Sequence, residues 1–189
     1  MSKLEKHLNA DEKVLWNGKP VKAPFLFPAL VISFVIGLFF VIIGIFMYYV
    51  LSITPPPDMP PESTTLVVLL LVIPGLAIIV GAPLWQFMRY RNTEYLITDQ
   101  RIITQTGAIG LDTRFVDLDK VQEVYVKVGV IDKLFGTGSV IAVTAGFVLV
   151  GMGGTPSFSA LREPYKVQKL IEEAMKKVKA MHKGGEPVV

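Results

Sequence analysis

The chain contains no cysteine and only two histidines among its 189 residues. The absence of cysteine excludes disulfide scaffolds, thiolate nucleophiles and cysteine-ligated zinc. Charge is also scarce, because only 19% of the residues are charged, whereas 51% are hydrophobic and the mean hydropathy is +0.50. Soluble domains carry about 25% charged residues, so this composition argues against an ordinary soluble globule. It also excludes a disordered chain, and the net charge of +3 is too small to indicate nucleic-acid binding.

Two long segments lack charged residues altogether, residues 23–57 and 63–88. Each exceeds the roughly 20 apolar residues that a helix needs to cross a hydrocarbon core about 30 Å thick. A helix satisfies all of its backbone hydrogen bonds internally, as a lipid environment requires. We therefore predict two transmembrane helices, at 23–51 and 64–88. The loop between them, residues 52–63, holds five prolines, which favour an extended path.

The distribution of Lys and Arg predicts the orientation of this helical hairpin. Five lysines lie in residues 1–22, the loop at 52–63 has neither Lys nor Arg, and Arg89 and Arg91 follow the second span. Positive charge is enriched on the cytoplasmic side, so we expect a multi-pass protein of the inner or plasma membrane with both termini in the cytoplasm. Arg89 and Arg91 are then candidate contacts for lipid headgroups, since a basic residue near an anionic surface contributes about 1 kcal/mol.

Small residues one helical turn apart predict how the two spans pack. Ser33 and Gly37 form such a pair on the first helix, and Ala77 and Gly81 form one on the second. Counted from the connecting loop, the two pairs fall at similar membrane depth. Small residues let helix backbones approach closely, so these four residues are our candidates for the helix–helix contact.

Residues 89–189 have the pattern of a mainly β domain. Runs with alternating or β-branched residues are separated by turn residues, which is typical of short antiparallel strands. The segment 133–138 is expected to be a turn. From Pro164 the apolar residues recur at helical spacing to about residue 182, which predicts an amphipathic C-terminal helix. These features describe a β-sandwich or a partly open barrel covered by one helix. Residues 1–22 include a short strand-like segment and are expected to pack on this domain.

Four short motifs carry a resemblance to a known family. They are Glu12-x-x-Leu15-Trp16-x-Gly18-x-Pro20, Tyr95-Leu96-Ile97-Thr98-Asp99-x-Arg101-Ile102 with Gly107, Val121-x-x-Val124, and Leu134-Phe135-Gly136-Thr137-Gly138. With the two-span hairpin they make the chain resemble the bacterial pleckstrin-homology-like (PH-like) membrane proteins of the YdbS type. The resemblance implies two transmembrane α-helices plus a mainly-β PH-like domain of bent antiparallel sheets with a C-terminal amphipathic α-helix. It implies no catalytic residue.

The chain offers no recognisable catalytic or cofactor-binding constellation. His7 and His182 lie near opposite ends, in lysine-rich segments, without further metal ligands at suitable spacing. The glycine-rich stretches complete neither a dinucleotide-binding fingerprint nor a P-loop, and no G-x-S-x-G nucleophile elbow occurs. The two spans contain no ionisable residue, which argues against ion transport through them. We therefore predict no enzyme activity, no catalytic or metal-binding residues, no cofactor and no small-molecule substrate.

A third uncharged stretch, residues 134–161, is not explained by a membrane span. Its six glycines make it a poor helix, so we expect strands, with one hairpin apolar on both faces. Phe147, Leu149, Val150 and Met152 form our candidate interaction surface, which would meet a second protomer or the membrane. Alternatively, the covering helix and the N-terminal segment bury both faces.

The expected function is that of a membrane-anchored binding or scaffolding module at the cytoplasmic face, acting through protein–protein contact or self-association. The expected partners are the lipid bilayer and either a second copy of the chain or another membrane protein. The alternative is an accessory subunit of a membrane transport or enzyme complex, for which the sequence offers no polar constellation.

Overall fold

The computed structural model describes Leu4, Leu8 and residues 12–57, 60–144 and 156–184. The chain divides into two compact units. One unit comprises Met1–Phe25 together with Met88–Val189, and the other comprises Leu26–Phe87. The first unit is therefore discontinuous in sequence, because the whole of the second unit is inserted into it.

The inserted unit consists of two long helices, α1 (Lys22–Ile53) and α2 (Pro61–Asn92), whose end turns belong to the first unit. Both are long and apolar enough to cross a membrane. Prolines lie inside both helices, Pro28 in α1 and Pro74 and Pro83 in α2. Such prolines are tolerated in membrane helices, where neighbouring groups satisfy the freed carbonyls.

Glycines bring α1 and α2 close together. A Cβ placed on Gly37 would lie 2.5 Å from the carbonyl oxygen of Gly75, and one placed on Gly75 would lie 2.8 Å from the carbonyl oxygen of Gly37. Seven residues further along α1, a Cβ on Gly44 would lie 2.7 Å from Val72. At Gly37 and Gly75 the crowding atoms include backbone oxygens, so the close approach of the two backbones there depends on glycine.

The first unit opens with a four-stranded antiparallel sheet in the order β1-β2-β3-β4. The strands are β1 (Val14–Gly18), β2 (Glu94–Thr98), β3 (Arg101–Thr106) and β4 (Asp112–Asp117). The chain between β1 and β2 contains both long helices, so these helices replace what would otherwise be a hairpin loop. Gly18 pairs with Tyr95 at the end of the sheet from which the helices leave.

A second sheet has three antiparallel strands in the order β5-β6-β7. They are β5 (Val121–Lys127), β6 (Gly138–Thr144) and β7 (Ser157–Leu161). The segment before β6, which the sequence predicts as a turn, contains a short helix, α3 (Val130–Phe135). Gly136 ends this helix with φ of 63°, a left-handed conformation that glycine adopts without steric cost.

The C-terminal helix α4 (Pro164–Gly184) packs on β5, β6 and the 3₁₀ turn Leu118–Lys120. Its buried face is apolar, and its outer face carries the lysines and glutamates. The main core lies between this helix and the sheets, and its least exposed members are Tyr95, Ile97, Ile102, Leu118, Val121, Val140, Phe158 and Ile171. The predicted fold class is confirmed: two long apolar helices, antiparallel sheets and one C-terminal helix form the described chain.

Candidate functional site

An open cleft of about 440 Å³ lies where β1 and the segment between β1 and α1 approach the end of β7 and the first turns of α4. Its lining residues are Trp16, Lys19, Val21, Leu161, Arg162, Glu163, Lys166, Val167 and Leu170. The Trp16 ring stacks on the Phe158 ring at a centroid distance of 5.9 Å. Apolar side chains thus supply much of the lining, and the charged side chains follow the β7–α4 corner and the end of β1.

Three cations and one carboxylate line this cleft. Lys19 pairs with Glu94 at 2.8 Å, and Lys166 pairs with Glu163 at 2.7 Å. Arg162 makes no ion pair with any residue in the described part of the chain. Guanidinium groups present several donors in a fixed plane and suit carboxylates or phosphates. The cleft therefore combines an apolar lining with an available positive group.

The strand β1, which forms one side of the cleft, is held at both ends. At its far end Glu12 is fully buried and accepts two hydrogen bonds from Arg101, at 2.9 Å from Nε and 2.7 Å from Nη2. Thr98 donates a third hydrogen bond to the same carboxylate at 2.7 Å. The hydrogen bonding of Arg101 to the Glu12 carboxylate is the main cause that raises the pKa of Arg101, so the guanidinium stays charged.

Beyond the other end of β1, a backbone hydrogen bond connects the chain to β7. The backbone N–H of Val21 donates to the carbonyl oxygen of Ala160 at 2.8 Å, which fixes the start of α1 against β7. Ala160 has φ of 55°, an uncommon value for a residue with a side chain. The hydrogen bond between Val21 and Ala160 connects the two sides of the cleft, because Val21 and the neighbour of Ala160, Leu161, both line it.

Tyr95 joins the two sheets beneath the cleft. Its hydroxyl accepts a hydrogen bond from the N–H of Ser159 at 3.1 Å, and its ring lies 4.8 Å from the Phe158 ring. Burial raises the pKa of the Tyr95 hydroxyl, because the phenolate would lose its hydration. Tyr95 therefore stays neutral around neutral pH and connects the two sheets through Ser159.

A second cleft, of about 410 Å³, lies on the other side of the β7–α4 corner and is bounded by α3 and the first turn of α4. It shares Arg162, Glu163 and Lys166 with the first cleft and adds Lys133. Asp132, which also lines it, accepts hydrogen bonds from the Gly129 N–H and the Thr137 hydroxyl, at 3.0 Å each. The Asp132 carboxylate therefore orders the α3 segment.

Within the residues that the structure describes, no group of three or more His, Asp or Glu side chains could hold a metal ion. The buried charged pair, Glu12 with Arg101, lies at the far end of β1 and lines neither cleft. The apolar and cationic lining of the first cleft supports binding.

The residues singled out from the sequence fall in three places. Arg89 and Arg91 are exposed in the last turn of α2. Ser33 and Gly37 are buried on α1, but Gly37 meets Gly75, whereas nothing lies within 4 Å of a Cβ on Gly81, and Ala77 is exposed.

The candidate interaction surface, Phe147, Leu149, Val150 and Met152, lies outside the described residues. Sequence reasoning missed the cleft, because Lys19, Arg162 and Lys166 share no motif. The signal available in the sequence was the charge of Arg162 at the junction of a strand and the helix that follows it.

Two antiparallel sheets closed by a C-terminal helix define the PH-like class of domain. Residues 23–175 match the family model described as bacterial PH domain, and the chain belongs to this family. A comparison with curated proteins finds no match. Among solved structures, the chain is similar to a DUF1696 family protein with a pleckstrin-homology domain from Shewanella loihica PV-4. The two share 12% identity with a TM-score of 0.34, over 46% of this chain and 74% of that chain.

Proposed function

We propose that this protein is a membrane-anchored binding module that holds a protein partner in the β1–α4 cleft at the cytoplasmic face of the membrane, without catalysis. The observation that carries the proposal is the cleft itself, in which an apolar lining lies beside Arg162, a cation without an ion pair in the described structure. Membership in the PH-like family supports a binding or scaffolding module, and catalysis is not indicated.

The chemistry of the cleft favours a peptide segment that carries a carboxylate next to an apolar side chain. Val167 and Leu170 offer apolar contact, and Arg162 offers a bidentate donor for the carboxylate. A cavity of about 440 Å³ is in the range of sites that hold a small ligand or a few side chains. The partner is either another membrane protein or a second copy of this chain.

The two long helices support the anchoring. Their length and composition suit a bilayer, and the lysines of residues 1–22 with Arg89 and Arg91 favour a cytoplasmic position for the domain. Anchoring raises the effective concentration of the module near partners in the same membrane, so a cleft of modest affinity suffices there.

Site-specific photo-crosslinking in native membranes tests the proposal. A benzophenone amino acid is placed at Lys166, which lines the cleft, and, as a matched control, at Lys176, which is also exposed on α4 but does not line it. We expect a discrete crosslinked product from position 166 and none from position 176. Arg162→Glu should abolish this product, because it reverses the charge that meets the partner.

The mass of the product distinguishes a second copy of this chain from a different protein. Identical products from both positions, or a product from position 166 that Arg162→Glu leaves unchanged, would contradict binding in the cleft. An Arg162→Lys variant serves as the conservative control, since it keeps the charge and loses only the planar fork.

A further inference from the structure

Two parts of the first unit expose large apolar side chains to solvent. In the turn between β3 and β4, Ile109 is 80% exposed and Leu111 is 58% exposed. In α3, Val130 is 87% exposed and Leu134 is 72% exposed. Single exposed apolar residues are common on protein surfaces, but clusters of them mark contact with a partner or a membrane.

The strand topology places the β3–β4 turn at the end of the sheet from which both long helices leave. The sheet is an antiparallel meander, so the connection between β1 and β2 and the turn between β3 and β4 share one end. The connection between β1 and β2 is the helical hairpin. The β2–β3 turn, with Asp99 and Gln100, lies at the opposite end.

Two hydrogen bonds connect the last residue of α2 to this turn and to the end of β3 that leads into it. The Asn92 side-chain amide donates to the carbonyl oxygen of Ala108 at 3.1 Å, and Gln105 donates to the carbonyl oxygen of Asn92 at 3.4 Å. Asn92 lies four residues beyond Met88, the end of the uncharged run, which is about 6 Å along a helix. Each headgroup layer of a bilayer is about 5–7 Å thick. The turn is therefore held at the depth of the headgroups if α2 spans the membrane.

The helix α3 belongs to the same end. It precedes β6, whose first residue Gly138 pairs with Leu161 at the end of β7. The neighbouring Ala160 accepts the hydrogen bond from Val21, one residue before α1 begins. The residue that precedes α1 therefore lies beside one end of the second sheet, and α3 is at the same end of that sheet.

We propose that the β3–β4 turn and α3 insert their apolar side chains into the interfacial layer of the bilayer that the two long helices span. This inference rests on the proposed membrane anchoring. Basic residues accompany both insertions, since Arg91 lies in the last turn of α2 and Lys133 in α3. Apolar side chains flanked by cations are the composition of interfacial membrane contacts. In this proposal the membrane is contacted by four elements, namely α1, α2, the β3–β4 turn and α3.

The lack of cysteine in the chain permits a direct test with single-cysteine variants of the full protein. Ile109→Cys and Leu134→Cys are each labelled with an environment-sensitive nitrobenzoxadiazole probe, and the protein is reconstituted into phosphatidylcholine–phosphatidylglycerol vesicles. We expect blue-shifted emission that nitroxide-labelled lipids quench and iodide does not. The matched control is Gln100→Cys, exposed at the opposite end of the sheet, whose probe should be quenched by iodide alone.

A fourth variant separates this inference from the anchoring on which it rests. Val80→Cys lies inside α2, and its probe should be quenched by nitroxide lipids if α2 spans the bilayer. Quenching at Val80→Cys with iodide-accessible probes at Ile109→Cys and Leu134→Cys would overturn the insertion and keep the anchoring. Iodide access at Val80→Cys would overturn the anchoring. A blue shift at Ile109→Cys or Leu134→Cys without lipid quenching would indicate cover by protein and would also overturn the insertion.

Discussion

The buried ion pair between Glu12 and Arg101 should be a major determinant of domain stability. The Glu12 side chain is fully buried, and that of Arg101 is 19% exposed. Removing one partner of a buried pair costs about 3–5 kcal/mol, because the other charge stays buried without its counter-ion. Glu12→Ala leaves a guanidinium with some hydration, so we expect a loss in the free energy of unfolding of about 3 kcal/mol.

Arg101→Ala should cost more than Glu12→Ala, about 5 kcal/mol at the upper end of the same range. It leaves the fully buried carboxylate without its two hydrogen bonds from the guanidinium. It also removes a cation–π contact in which the guanidinium carbon lies 5.0 Å from the Phe115 ring centroid. The double variant should lose no more than Arg101→Ala alone, because neither charge is then left behind.

Urea unfolding in mild detergent measures these differences through Trp16 fluorescence, with Trp85→Phe as the background that removes the other tryptophan. Trp16 reports on the domain because its ring stacks on Phe158. A loss below about 1 kcal/mol for Glu12→Ala, the size expected of an exposed pair, would refute the reasoning. Strict additivity of the two single variants would refute it as well.

Two further predictions concern the two units separately. Because burial raises the pKa of Tyr95 above 10.0, the unfolded chain releases this proton first. The protonated Tyr95 therefore makes its full contribution to the free energy of unfolding below about pH 10, and this contribution falls as the pH rises further. Tyr95→Phe should weaken this fall in the melting temperature and cost about 1 kcal/mol at neutral pH through the lost hydrogen bond with Ser159. In the helical unit, Gly37→Leu forces a side chain against Gly75 and should destabilise the helix pair in detergent by about 1–3 kcal/mol. Gly81→Leu, which enters open space, should leave it unchanged, and equal effects of the two variants would contradict the packing described above.

Periodicity in the sequence was sufficient to predict the class of the fold. Long uncharged runs predict the helices, alternation predicts the strands, and the spacing of apolar residues after Pro164 predicts the C-terminal helix. The short helix α3 could not be distinguished from a turn, because six residues do not complete two helical turns. The glycine contact also escaped prediction on α2, where Gly75 rather than Gly81 faces the other helix. Rotation about a helix axis depends on tertiary packing, which spacing alone does not specify.

The details of the domain and its cleft depend on contacts between residues that are distant in sequence. Glu12 and Arg101 are separated by 89 positions and meet only because the helical hairpin returns the chain to β1. Lys19 precedes the two inserted helices in the sequence and Arg162 follows them, yet both line one cleft. No local motif encodes these pairings. A strand-like segment before a hairpin of apolar helices is the feature by which a similar arrangement could be sought in another sequence.

The central claim, that the PH-like domain is anchored at the cytoplasmic face, is tested most directly by thiol labelling in intact cells. A membrane-impermeant maleimide is applied to Thr54→Cys, between α1 and α2, and to Gln100→Cys, in the domain. Our account predicts labelling of the Thr54→Cys protein in intact cells, and of the Gln100→Cys protein only after the membrane is permeabilised. Labelling of the Gln100→Cys protein in intact cells, or release of the chain from membranes by an alkaline wash, would contradict it.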